Sequence, residues 1–203
     1  MDSTQFYQLS VANVRPETES SICVTFNVPK TLQDTFAFKQ GQFLTMKAQI
    51  SGEEVRRSYS ICSGVHEGRL KVGIKRVNGG SFSNYANDNF EDGFLVDVMS
   101  PQGNFYTELD ADNEKSYMLI AAGSGITPIL SNIKTILHEE PLSRVSLLYG
   151  NLRSNSVMFM DELGFIKNRY MSRFQWINIM DNEDQGAEVL NGIIDNKKGA
   201  ELY

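Results

Sequence analysis

Apolar and polar positions follow two different rhythms along this chain of 203 residues. Up to Met99, short runs rich in β-branched and aromatic residues sit between turn formers and read as strands over residues 11–14, 21–28, 43–49, 55–61, 70–75 and 94–99. Arg15-Pro16, Gly41, Ser51-Gly52, Gly64, Gly79-Gly80 and Gly93 punctuate them. Short strands at this spacing predict an antiparallel barrel or sandwich. The rhythm then changes. Residues 117–121 form a continuous apolar run, as in a strand buried within a parallel sheet. Ile126, Ile129, Leu130, Ile133 and Leu137 recur at helical spacing. A strand over 145–149, a helix over 157–166 and a third strand over 174–180 follow. Such alternation predicts βαβ units and a nucleotide-binding type of sheet. A polar link over 101–115 separates two domains, 1–108 and 109–203.

Composition narrows the class. A hydrophobic share of 41% and a charged share of 22% are ordinary for a globular chain with a real core. A net charge of -6 without a Lys/Arg run speaks against nucleic acid. No apolar stretch is long enough to span a bilayer, and residues 1–15 lack the pattern of a signal peptide. The chain is therefore expected in the cytoplasm. Cys23 and Cys62 make neither a disulfide framework nor a metal cluster.

Candidate chemistry concentrates in a few stretches. Arg57-Ser58-Tyr59-Ser60 lies in a predicted strand, where side chains alternate between faces. A flat redox ring with a phosphate tail needs an aromatic surface, a hydroxyl at its edge and a guanidinium, and these residues offer all three. Gly79-Gly80-Ser81-Phe82-Ser83 follows the strand containing Ile74 and Lys75; its glycines and incipient helix, 82–89, offer amides to a pyrophosphate. Ser81 or Ser83 equally suits a helix cap. Gly123-Ser124-Gly125-Ile126-Thr127-Pro128 joins the first parallel strand to its helix, where free amides face an anion and Pro128 fits the first turn. It is not the usual dinucleotide fingerprint, and no acid ends the second strand. That strand runs into Gly150 and Asn151, then Arg153 and Ser154, which either receive a 2′-phosphate or lie on a solvated loop.

Taken in order, these motifs resemble the ferredoxin–NADP reductase superfamily, and within it the reductase components of multicomponent oxygenases. The likeness rests on Gly41-Gln42-Phe43, Arg57 to Ser60, Ile74 to Val77 with Gly79-Gly80, Ala121 to Pro128, Tyr149-Gly150-Asn151 and Asp161-Glu162-Leu163. It implies a six-stranded FAD-binding β-barrel followed by an NAD(P)-binding α/β domain. By resemblance, Arg57 contacts FAD phosphates, Tyr59 lies against the isoalloxazine, and Ser60 sits near its reactive nitrogen. The turn from Gly80 to Ser83 holds the pyrophosphate, and Gly123 to Thr127 hold NADPH or NADH. The resemblance also implies a [2Fe–2S] ferredoxin or ferredoxin domain and an oxygenase as partners. Relatives end in a Cys-Gly-Pro segment and carry a [2Fe–2S] domain; neither is present in these 203 residues, so the second sheet is expected to be incomplete.

Alternative functions are a flavin or ferric reductase and a non-catalytic docking protein with the same fold. His66 and His138 read as isolated surface residues, Cys62 as a buried structural thiol, and Trp176 and the phenylalanines as core. Residues 182–184 read as a solvated loop.

Overall fold

The computed structural model describes residues 5–202. Six antiparallel strands come first: β1 (Phe6–Thr18), β2 (Ser21–Asn27), β3 (Phe43–Ile50), β4 (Glu53–Ser60), β5 (Leu70–Lys75) and β6 (Leu95–Met99), in the order β4-β3-β6-β1-β2-β5. Helix α1 (Ser81–Asn89) lies between β5 and β6. The chain leaving β4 crosses to β5 through the Ile61–Val72 bridge and the Cys62 amide, which donates to the Lys71 carbonyl at 2.9 Å. This contact closes the sheet into the expected barrel. Leu9, Leu44, Met46, Val72, Ile74 and Val98 fill its interior. Phe82, Ala86 and Phe90 at α1 join the same core.

One turn predicted from the sequence is not a turn. β1 runs through Arg15-Pro16, and Pro16 pairs with Ile22 of β2. The pairing of β1 with β6 involves only Phe6 to Ser10, so Pro16 lies where β1 has one neighbour and its missing amide costs no ladder bond. The β3–β4 turn forms as expected: Ser51-Gly52 has φ of +54° and +86°, the two left-handed residues of a tight hairpin.

The second half holds β7 (Ser116–Ala122), α2 (Ile126–Glu139), β8 (Arg144–Asn151), α3 (Met160–Arg169), β9 (Phe174–Met180) and α4 (Asn196–Leu202), with a parallel sheet in the order β7-β8-β9. The order corrects one expectation. β7 is an edge strand of the described residues, with only Ala121 buried and Ile120 52% exposed; the central, buried strand is β8. A continuous apolar run does not reveal which strand is central. Phe105 and Phe165 are also exposed rather than core, at 58% and 64%.

Helix α2 locks the halves together. Its apolar stripe packs in the second core, yet Ser131, Asn132, Lys134 and Thr135 are buried too, against the barrel. Ser131 donates to the Ser63 carbonyl at 2.7 Å, and Thr135 accepts from the Val65 amide at 3.2 Å. The Lys134 ammonium contacts the Cys62 carbonyl at 3.0 Å, Glu67 at 2.9 Å and Glu162 at 2.5 Å. Burial works to raise the Glu67 pKa, but the Lys134 charge and hydrogen bonds from Lys71 and the Gly64 amide outweigh it and bring the carboxyl to about 2. Burial alone would lower the Lys134 pKa; the charges of Glu162 and Glu67 and the hydrogen bond to Glu162 raise it instead. His66 and His138, distant in sequence, stack across the same junction with ring centroids 3.9 Å apart. Cys23 and Cys62 are buried as free thiols with sulfurs 4.0 Å apart.

Candidate cofactor cleft between the two halves

Strand β4, helix α1 and the start of α2 enclose a cleft of about 520 Å³. Arg57, Ser58, Tyr59 and Ser60 line it from one side, Lys75, Gly80, Ser81, Phe82 and Ser83 from another, and Ser124, Gly125, Thr127 and Pro128 from the second half. Gly73 and Val77 also line it; Gly73 escaped the sequence reading, and Val77 entered it only as part of the motif from Ile74 to Val77, since neither carries a functional group.

Register places the strand residues. Ser60 pairs with Phe43, Tyr59 with Leu44, Ser58 with Thr45 and Arg57 with Met46. Ser58 and Thr45 share a hydroxyl–hydroxyl hydrogen bond of 3.0 Å. The Tyr59 ring lies 5.8 Å from that of Phe82 at 39°, so two aromatic surfaces adjoin. Burial pushes the Tyr59 phenol up to about 12 against the opposing pull of Arg57, keeping it neutral near pH 7.

The cleft suits a phosphate-bearing ring on its own chemistry. No Asp or Glu lines it, and among the described residues neither Arg57 nor Lys75 forms an ion pair; Arg57 donates only to the Arg56 carbonyl at 2.7 Å. Ser83, a candidate cap, instead accepts from the Val77 amide at 3.1 Å. The start of α1 at Gly80 has no side-chain cap, leaving its first amides free for an anion. Gly79 turns the chain into α1 with φ of +71° but does not line the cleft. Ile74, also anticipated at the site, is wholly buried in the barrel, so its side chain stays out of the cleft.

A second cleft of about 490 Å³ adjoins it, sharing Lys75. Gly123, Gly150 and Asn151, candidate cofactor residues, line it with Ile120, Leu152, Asp181 and Ile194. Gly123 has φ of +50°, and its carbonyl accepts from the Tyr149 hydroxyl at 2.9 Å, which pins the loop to β8. The Asn151 side-chain amide is buried beside the Tyr149 hydroxyl, on which it acts as a hydrogen-bonding neighbour. Arg153 and Ser154 lie outside both clefts, where Ser154 bonds to Glu183. Residues 182–184 are thus not merely a solvated loop.

A closed six-stranded barrel joined to a parallel sheet, with a cleft walled by both halves, is the architecture of a two-domain oxidoreductase that binds dinucleotides. The oxidoreductase FAD-binding domain family matches residues 9–106, and the oxidoreductase NAD-binding domain family matches residues 119–202. The chain thus carries both oxidoreductase domains, one for FAD and one for a nicotinamide dinucleotide, on a fold like that of the ferredoxin–NADP reductases.

Its likenesses are more particular. It is 43% identical over 195 residues to one of the subunits of 1,2-phenylacetyl-CoA epoxidase of Escherichia coli K12, across 96% of this chain and 55% of that protein. It is 34% identical over 176 residues to the ferredoxin reductase component of 3-ketosteroid-9-alpha-monooxygenase of Rhodococcus rhodochrous, across 86% and 49%. The chain therefore spans about half the length of the curated relatives it matches. The cytochrome b5 reductase domain of Ulva prolifera nitrate reductase shares the fold, with a TM-score of 0.82 at 18% identity over 99% of this chain and 83% of that one.

Proposed function

We propose that this chain takes a hydride from NADH or NADPH and passes electrons singly to a [2Fe–2S] centre or ferredoxin that serves an oxygenase. The observation carrying this reading is the cleft whose walls come from both halves: Arg57 to Ser60 and the start of α1 from the barrel, Ser124 to Pro128 from the sheet domain. Bound FAD supplies the redox chemistry, as hydride acceptor and one-electron donor.

The protein's own groups bind, orient and exclude water. Arg57 and the uncapped amides from Ser81 to Ser83 would hold phosphates, while Tyr59 provides an aromatic wall. Tyr59 and Ser60 line the same cleft and are the residues proposed to touch the reacting ring, where Ser60 would offer its hydroxyl to a ring nitrogen. Gly123, Ser124, Gly125 and Thr127 would place the nicotinamide nucleotide, with Lys75 between the two clefts as a cation available to either. Oxygenase work is proposed because a relative is a ferredoxin reductase component of a monooxygenase. The division at residues 108 and 109 and a cytoplasmic setting belong to the same proposal; among the described residues no helix is long and apolar enough to cross a membrane.

The visible spectrum of the purified protein tests the reading. A yellow protein that bleaches on anaerobic addition of NADH or NADPH supports it. A protein unable to take up FAD refutes the assignment of Arg57 to Ser60.

A further inference from the structure

The segment after β9 reaches back along the segment after β8. The parallel register ends with Asn151 opposite Met180, yet the Asp181 amide donates to the Asn151 carbonyl at 2.9 Å and the Asn182 amide to the Leu152 carbonyl at 2.9 Å. The ladder thus continues beyond both strands, and it delivers Glu183 to Ser154. The Glu183 carboxylate accepts the Ser154 amide at 2.8 Å and the Ser154 hydroxyl as well. The Gln185 side-chain amide donates to the same carboxylate at 3.3 Å. Hydrogen bonds from the Ser154 hydroxyl and amide, with lesser help from Gln185 and Arg153, hold the carboxyl below its ordinary range and keep it ionised.

In doubly wound sheets the carboxyl end of the second strand faces the adenosine ribose. An acidic side chain there accepts from a 2′-hydroxyl, whereas a basic one accommodates a 2′-phosphate. Strand β8 brings no acid of its own and leads into Arg153 and Ser154, a pair that suits a phosphate. The structure changes the balance, because both Ser154 donors already serve a carboxylate from the next strand's loop. We propose that Glu183 is a specificity-determining residue that selects NADH over NADPH, by engaging the donors a 2′-phosphate needs and by repelling its charge.

The physics is one-sided. A phosphate monoester carries about -1.5 to -2 charges at neutral pH, and set beside a carboxylate it meets like-charge repulsion. A 2′-hydroxyl is neutral and donates to the carboxylate instead. Arg153 remains beside the loop, so removal of the acid leaves a cation and two hydrogen-bond donors for a phosphate. The proposal rests on the reading of the second half as the nicotinamide-nucleotide domain.

Isothermal titration of the purified chain with ADP-ribose and with 2′-phospho-ADP-ribose tests it without flavin or turnover. The native protein is expected to bind ADP-ribose at least ~10-fold more tightly, as a like-charge clash at one contact implies. Glu183→Gln, which keeps the shape and removes the charge, is expected to narrow that gap by about tenfold, chiefly through tighter binding of the 2′-phosphate ligand. Glu183→Ala should act in the same direction. Native protein that prefers the 2′-phosphate ligand or binds the two equally overturns the proposal. So does a substitution that weakens both ligands alike, because Glu183 then only shapes the loop. If the native chain binds neither ligand, the nucleotide-domain reading itself fails, and the role of Glu183 with it.

Discussion

The barrel closes on itself, whereas among the described residues the three-stranded sheet stays open, with β7 at one edge. In the barrel the outermost strands β4 and β5 meet through Ile61, Val72 and Cys62. In the sheet, β7 has a neighbour on one side only among the described residues, and Ile120 is half exposed there. The difference shows in how each half lines the clefts. The barrel presents Arg57, Tyr59 and Ser60 from a strand whose register is fixed along eight pairs. The sheet presents Gly123 to Thr127 and Asn151 from turns at strand ends, steadied by single contacts such as the Tyr149 hydroxyl on the Gly123 carbonyl. Placement along a paired strand on one side and on strand-end turns on the other meet at one junction, which α2 spans.

The junction is where the contrast can be broken most severely. Lys134→Ala leaves the carboxylates of Glu67 and Glu162 facing each other without their buried cation, and is expected to cost about 3–5 kcal/mol. Urea unfolding followed by Trp176 fluorescence, which reports the second half alone, and by circular dichroism should then separate into two transitions. Coincident transitions at the native midpoint would show that the halves are joined by other contacts.

Acid should act on the same contact. The Glu67 pKa is depressed from the usual 4.5 to about 2, so its contribution is complete above pH 4.5 and is lost as pH falls towards 2. Solvent screening of this partly exposed carboxyl reduces the loss to about 1–2 kcal/mol at the acid end, and Glu67→Gln should abolish this part of the pH dependence in stability measurements.

On the barrel side, Arg57→Ala removes a charge-assisted contact and is expected to weaken FAD binding roughly 10- to 100-fold while leaving the melting temperature of the flavin-free protein nearly unchanged. Flavin fluorescence titration measures it; an unaltered affinity would remove Arg57 from the site. Gly73→Ala probes the fit between the halves, because its Cβ would lie 2.7 Å from Thr127 and 2.9 Å from Phe159. Overpacking of this kind costs about 1–3 kcal/mol, and an unchanged melting temperature would show that the junction yields. The smallest effect belongs to the free edge: Ile120→Ala is expected to change stability by less than about 0.5 kcal/mol, against roughly 2–5 kcal/mol for Leu147→Ala in the buried strand β8. Equal effects would mean that β7 is covered in solution.

Much of this arrangement is legible in the chain itself. Ser51-Gly52, Gly123-Ser124-Gly125 and the stripe from Ile126 to Leu137 act through local backbone geometry and periodicity, and each forms the turn or helix its residues imply. Arg57 to Ser60 and Ser81 to Ser83 are readable as one site only because their motifs follow in order. Pro16 misleads because a proline is harmless where a strand has a single partner, and strand partners are not local information. Ile74 is drawn in by proximity to Lys75, but alternation along β5 turns it into the barrel.

By itself the sequence determined the local grammar: six short strands, a change to strand–helix alternation, and glycine turns at the points where helices begin. These follow from backbone sterics and side-chain period, which act over a few residues. Only the tertiary structure decided which polar residues are buried. Ser131, Lys134 and Thr135 look like the wet face of an amphipathic helix, yet they meet carbonyls, an amide and carboxylates across the junction. Glu183 looks like a solvated loop acid until the extended ladder sets it on Ser154. Burial of a charge is tolerable only with a partner at the right distance, and distance between remote residues is a property of the fold.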